Sequence, residues 1–197
     1  MKLFYSPASE YVRKVMATAI ECGLTGRIEL IDGRDDLPNH NPLRKIPTLI
    51  TDEGRVIVDS PVICEYLDRL AGGKLIPAEG EARWTALSRE ALADGIMESA
   101  TMLRHDTRFH GGHESAELGE RYRVKIEAGL DQFESEAADG KLEGAVTIGH
   151  LTIGICCGYL DFRKILDWRK GRPALADWYE EFSQRPSLAK TEPREYR

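Results

Sequence analysis

The segment NPLRKIPTL, Asn41 to Leu49, carries more information than any other part of this chain. A proline stands directly before a short strand-like run. Asp52-Glu53-Gly54 then supplies a turn, Val56 to Val58 a further extended run, and Asp59-Ser60-Pro61 the start of an apolar helix. Ser60 suits the cap and Pro61 the first helical position. A proline-bounded strand edge beside a helix N-terminus is an arrangement that holds a peptide-like ligand.

Upstream of this segment, Lys2 to Tyr5 reads as a short strand. Val12, Val15, Met16, Ala19 and Ile20 follow with helical spacing, an amphipathic helix closed by Gly23. Arg27 to Ile31 alternates as a second strand, and Gly33 to Asn41 is polar and irregular. Thr48 to Thr51 is the third strand and Val56 to Val58 the fourth. Ile63, Tyr66, Leu67 and Leu70 mark the buried face of the next helix, which Gly72-Gly73 ends. This order is that of a thioredoxin-like unit, assigned to residues 1–75, with a linker over 76–82 containing Pro77 and Gly80. Residues 83–197 lack strand signals and read as an all-helical domain. Its parts are a long helix from Trp84 to about His110 and a stripe of Tyr122, Ile126, Leu130 and Phe133. Thr147 to Phe162 reads as a buried central helix, and Leu175, Trp178, Tyr179 and Phe182 form a last stripe. The expected fold is α/β plus all-α, a thioredoxin-like domain followed by a helical bundle.

Bulk properties narrow the function. Of the 197 residues 42% are hydrophobic and 30% charged, with a net charge of -6 and no basic stripe, so nucleic acid is not an expected partner. Pro7 interrupts the first apolar run too early for a secretory leader. The longest apolar stretch, Ile148 to Leu160, is shorter than the ~20 residues of a membrane-spanning helix. The four cysteines form no C-x-x-C, which suits free thiols in a reducing cytoplasm. Cys156-Cys157 reads as core packing. His105, His110 and His113, with Asp106 and Glu114 nearby, match neither a helical ligand pair nor a Cys/His zinc spacing, and no metal is expected.

Three places could carry chemistry. Ser9 precedes the first helix, where free N–H groups favour anions. Its hydroxyl could donate to a bound thiolate and lower a thiol pKa that is ordinarily ~8.5. Ser9 could equally be only a cap, and Ser6 is a rival hydroxyl. Ile46-Pro47, if cis, exposes a backbone edge for an extended peptide, and an ordinary trans proline opening a strand reads the same way. Asp59 suits an ammonium group and Ser60 a carboxylate, although capping explains both. Lys45, Arg44 and Arg34 could meet a second carboxylate.

Taken together, Ser6-Pro-Ala-Ser9 with Val12-Arg13-Lys14-Val15, Asn41 to Leu49, Asp59 to Leu67 and Arg185-Pro186-Ser187 resemble the soluble glutathione transferases over essentially the whole chain. The likeness is to bacterial members with a serine-type active site. It implies glutathione as cosubstrate and no permanently bound cofactor. Ile46 would pair with the cysteinyl part, Pro47 would be cis, Asp59 and Ser60 would hold the γ-glutamyl end, and Lys45 would reach the glycine carboxylate. Ser9 would stabilise the thiolate. The cleft for a small hydrophobic electrophile would draw on Met97, Thr101, Arg104 and Arg108. A cytoplasmic homodimer is implied, joined through the helix after Ser60 and the long helix after Trp84, with a role in detoxification. Alternatives are a non-catalytic binding or scaffold module, or a glutathione-dependent isomerase or peroxidase. The chain departs from the family pattern in three ways, the first being that some family classes would place the catalytic residue at Ser6 and others at Ser9. No cysteine occupies the place of the nucleophile of disulfide-exchanging members, and His150 stands where an Asp often caps the central helix.

Overall fold

The computed structural model describes residues 1–33 and 35–195; Arg34 lies outside them. The N-terminal unit contains β1 (Lys2–Phe4), α1 (Glu10–Glu21), a 3-10 turn (Thr25–Arg27), β2 (Glu29–Ile31), α2 (Leu37–His40), β3 (Thr48–Ile50), β4 (Val56–Val58) and α3 (Ser60–Leu70). The sheet order is β2-β1-β3-β4. β1 runs parallel to β2, with Leu3 opposite Leu30, and antiparallel to β3, with Leu3 opposite Leu49. β4 returns antiparallel to β3 through the Asp52-Glu53-Gly54 turn. This is a thioredoxin-like domain with its helices packed on a small mixed sheet. The segment read as irregular contains α2, whose Leu37 is buried; four residues are too few to show a period. The second strand starts later than expected because Arg27 closes the 3-10 turn.

The helical domain comprises α4 (Gly80–Phe109), α5 (Ala116–Ala138), α6 (Ile148–Arg163), α7 (Pro173–Phe182) and α8 (Pro186–Ala189). α6 runs through the centre and is buried from Ile148 to Leu160. It lies so close to α4 that a Cβ at Gly149 would stand 2.8 Å from the Ala86 carbonyl oxygen. Cys156 and Cys157 are buried on α6, and burial pushes both thiols above their ordinary value. His150 takes the place of a capping carboxylate. Its Nδ1 accepts the Thr147 backbone N–H at 3.0 Å, which closes the helix start. Burial, then the charge of Arg89, lowers the His150 pKa to about 4, so the ring is neutral at pH 7.

α1 buries more than the one apolar face that its spacing marks. Val12, Val15 and Ala19 face the sheet and α3, while Ala17 packs with Met97, Ala100 and the α6 residues. Between these faces Lys14 is 0% exposed, and its ammonium meets Glu90 Oε1 at 3.0 Å and Asp94 Oδ2 at 2.6 Å, both on α4. Burial works against the ammonium, but the carboxylates more than offset it and its pKa stands raised. Removing one partner of such a buried pair leaves an uncompensated charge, which costs more than the pair itself contributes. The two units are also joined at the linker. The Asp68 carboxylate accepts the backbone N–H groups of Lys74, Leu75 and Ile76 at 2.7, 2.7 and 3.1 Å.

Candidate functional site

A cleft of about 680 Å³ opens between the N-terminal unit and α4. Lys45, Ile46, Pro47, Asp59 and Ser60 line it on one side, with Asp94 and Glu98 opposite and Tyr11 from α1. Five residues singled out in the sequence therefore meet in one place.

Local chemistry sets the shape of the first wall. The Asn41 side chain is a hub: its Nδ2 donates to the Lys45 carbonyl and to Thr48 Oγ1, each at 3.0 Å, and its Oδ1 accepts the Leu43 N–H at 3.0 Å. Thr48 Oγ1 donates to the same Lys45 carbonyl at 2.8 Å. These bonds fold residues 41–48 into a loop that carries Arg44 at a φ of 53°. The Ile46–Pro47 peptide is cis. Ile46 lies outside the ladder of β3, which begins at Thr48, and borders the cleft. Lys45 is exposed at the rim.

The start of α3 forms the next part. Asp59 has a φ of 74°, a region that L-residues rarely adopt, and its carboxylate accepts the Ser60 N–H at 2.9 Å. Backbone held this way at a cleft is a pointer to function. Ser60 is 1% exposed, and its Oγ is buried with no hydrogen-bond partner among the protein's atoms. Asp94 Oδ1, across the cleft, is likewise buried and unpartnered. Orphaned buried polar atoms are uncommon in native proteins and call for an explanation.

Ser9 is not among the lining residues of the cleft. It stands at the N-terminus of α1, where its Oγ accepts the Val12 N–H at 3.3 Å. That bond uses a lone pair and leaves the hydroxyl proton free to donate. Ser6 is buried and its Oγ receives the Ala8 N–H at 3.4 Å. Burial pushes the Tyr11 phenol far above its ordinary value, so Tyr11 can donate a hydrogen bond but does not ionise.

The helical residues divide. Met97, Thr101, Arg104 and Arg108 fall on one stripe of α4, but the stripe climbs out of the core. Met97 is 0% exposed, packed with Ala17 and the α6 side chains, and does not line an open cleft, which corrects the expectation for it. Thr101 is half-buried; its hydroxyl bonds Glu10 Oε1 at 3.0 Å and Tyr159 Oη at 2.8 Å. Burial raises the Glu10 carboxyl, working against its hydrogen bonds and the charges of Arg163 and Arg104. Arg104 and Arg108 are exposed. Arg163 carries no local signal in the sequence, yet its Nη2 reaches the Ala8 carbonyl at 2.9 Å, immediately before Ser9. Among the described residues no group of three or more His, Cys, Asp or Glu is placed to hold a metal ion. Asp106 instead receives the Ser115 N–H at 2.8 Å and ties down the loop after α4.

Family models described as glutathione S-transferase N-terminal domain and C-terminal domain match residues 8–70 and 82–181. The chain belongs to the glutathione S-transferase family. It is 35% identical to the Escherichia coli K12 protein named "Uncharacterized GST-like protein YibF", over 98% of each chain. A glutathione transferase family member from Pseudomonas fluorescens Pf-5, solved with bound glutathione, is 40% identical with a TM-score of 0.91, over 98% of this chain and 99% of that one. A structure from the same organism with bound S-(propanoic acid)-glutathione is 40% identical with a TM-score of 0.88, over 99% and 100% of the two chains. Family membership supports glutathione binding in a cleft of this kind. No helix among the described residues is long and apolar enough to cross a membrane.

Proposed function

We propose that this protein is a glutathione transferase that binds glutathione as its thiolate and adds it to a small electrophile. The observation that carries the reading is the buried, unpartnered Ser60 hydroxyl beside the positive-φ Asp59, in the same cleft as Ile46-Pro47 and Lys45. Ser60 and the N-terminus of α3 suit the α-carboxylate of a γ-glutamyl group, and Asp59 its ammonium. An extended tripeptide anchored there runs along Ile46, with Lys45 at hand for its second carboxylate. Its sulfur then lies toward α1, where Ser9 donates to the thiolate and the helix dipole adds to the effect. A free thiol titrates near ~8.5, and each unit of lowering corresponds to ~1.4 kcal/mol. Thiol ionisation and proximity supply the catalysis. The relative that holds a glutathione with propanoic acid on sulfur supports conjugation as the reaction class.

The protein acts as a homodimer in this reading. Val62 on α3 and Trp84 and Leu92 on α4 are exposed apolar side chains, and such surfaces mark interfaces. The buried free cysteines suit a cytoplasmic setting. Calorimetric titration with glutathione tests the binding half: millimolar ligand should give heat and a thermal shift. Absence of both favours a scaffold module. Turnover of an aryl halide tests the chemical half, and mass measurement in solution tests the dimer.

A further inference from the structure

Arg163 of α6 reaches the Ala8 carbonyl beside Ser9, and Arg104 follows Thr101 on α4, whose hydroxyl meets Tyr159 of α6; from this pair of arginines we infer that the second substrate carries a carboxylate, which Arg163 and Arg104 recognise. This rests on the transferase reading above and names the substrate class of the same site.

Arg163 ends α6, and its side chain is 8% exposed. One edge of the guanidinium is fixed, with Nη2 on the Ala8 carbonyl at 2.9 Å. Nη1 meets Glu195 Oε1 at 3.0 Å, a carboxylate whose own side chain is 73% exposed. Nε is buried with no partner. The group lies 4.3 Å from the Phe162 ring centroid and 5.8 Å from that of Tyr159. Aromatic faces thus hold it flat, and Nη1 is the donor that already carries a carboxylate. Arg104 stands on α4 three residues past Thr101, whose hydroxyl bonds Glu10 and Tyr159, and its charge and that of Arg163 both act on those two groups. Neither neighbour cancels the pair. Glu10 is buried, with its Oε1 already taken by Thr101, and Glu195 is a solvent-facing partner that a substrate carboxylate can displace. The only apolar member of the α4 stripe, Met97, is in the core. A carboxylate held between two arginines places the rest of a small electrophile against the Ser9 side.

The chemistry is conjugation. The thiolate sulfur forms a bond to the electrophilic carbon, and with an aryl chloride the carbon–chlorine bond breaks and chloride leaves with the electron pair. The carboxylate takes no part and serves only as a handle.

The test compares 4-chloro-3,5-dinitrobenzoate with its methyl ester, each with glutathione and the full-length protein, as enhancement over the uncatalysed rate. We expect the acid to be favoured about tenfold, the value of one charge-assisted hydrogen bond. The preference should shrink with added salt and fall toward one in Arg104→Met and in Arg163→Met. Arg104 is exposed, so folding is not at stake in that variant. If Arg163 serves only to clamp the Ala8 loop and the C-terminal segment, its variant lowers both rates equally and the ratio survives. Equal enhancement of acid and ester, or a preference that persists in both variants, overturns the inference and leaves the transferase reading standing. No rate with either compound overturns both.

Discussion

Helices α1 and α3 both begin near the cleft with a serine, and the two hydroxyls are used differently. Ser9 accepts the Val12 N–H and so stabilises its own helix. Ser60 leaves that work to Asp59, whose carboxylate takes the Ser60 N–H, and keeps a buried Oγ that no protein atom meets. A satisfied cap explains itself by folding alone. An orphaned hydroxyl costs about 1–3 kcal/mol, so folding alone does not explain it, and it points to a ligand. Ser60 is therefore the stronger structural argument for binding, while the chemical role proposed for Ser9 rests on its place at the start of α1.

The start of α6 offers the largest contrast, since His150 caps there without a role in the cleft. An unfolded histidine titrates near ~6.5, whereas the folded His150 titrates at about 4. The unfolded chain takes up the proton first as pH falls. Stability from this group is complete above the unfolded value and is lost on acidification toward the folded one, by about 3 kcal/mol at most. Denaturation curves at pH 7 and pH 4.5 should show the loss, and His150→Asn, which keeps an acceptor for Thr147 but cannot titrate, should flatten it. Next in size, Ser9→Ala should lower turnover on the order of a hundredfold, as expected for removal of one donor to a developing or fixed anion, with glutathione still bound. If Ser6→Ala gives the larger loss, the thiolate belongs to Ser6. Ser60→Ala should raise the glutathione Kd about tenfold in a calorimetric titration, the value of one hydrogen bond to a charged group; an unchanged Kd would remove Ser60 from the site. The smallest effect separates the serines directly. Ser9→Ala should lower unfolding free energy by about 1 kcal/mol as a lost cap, whereas Ser60→Ala should leave it unchanged or raise it. Equal destabilisation by both would erase the contrast.

Much of this was legible in the sequence because its signals are local. Ser9, Ile46-Pro47 and Asp59-Ser60 each announce themselves through a helix start or a proline within a few residues; the cis peptide and the start of α1 stand where the motifs put them, whereas the cap of α3 is Asp59 rather than the expected Ser60. The element order likewise carried the four-stranded sheet and the helical domain. What escaped depends on pairs distant in the chain. Lys14 falls outside the apolar spacing of α1, and nothing local shows that it meets Glu90 and Asp94 inside the molecule. Arg163 reads as an ordinary helix-ending cation until α6 is laid beside Ala8. Asn41 opens the deciding segment, but its hub role depends on a fold of that loop which no spacing encodes. Met97 shows the converse error: periodicity tells which face of α4 a residue occupies and not how deep that stretch of the helix lies.

Asp68 has a mechanical consequence. By gathering the amides of Lys74, Leu75 and Ile76 it makes the connection an extension of α3, and Lys14 bolts α1 to α4 from the other side. The two halves are thus a jaw without a joint. In the proposed reading, such a joint-free molecule would select an electrophile by size and charge rather than by closing around it. A chain cut at the linker would expose Lys14 together with the α1 surface that packs on α6, so neither half is a portable module.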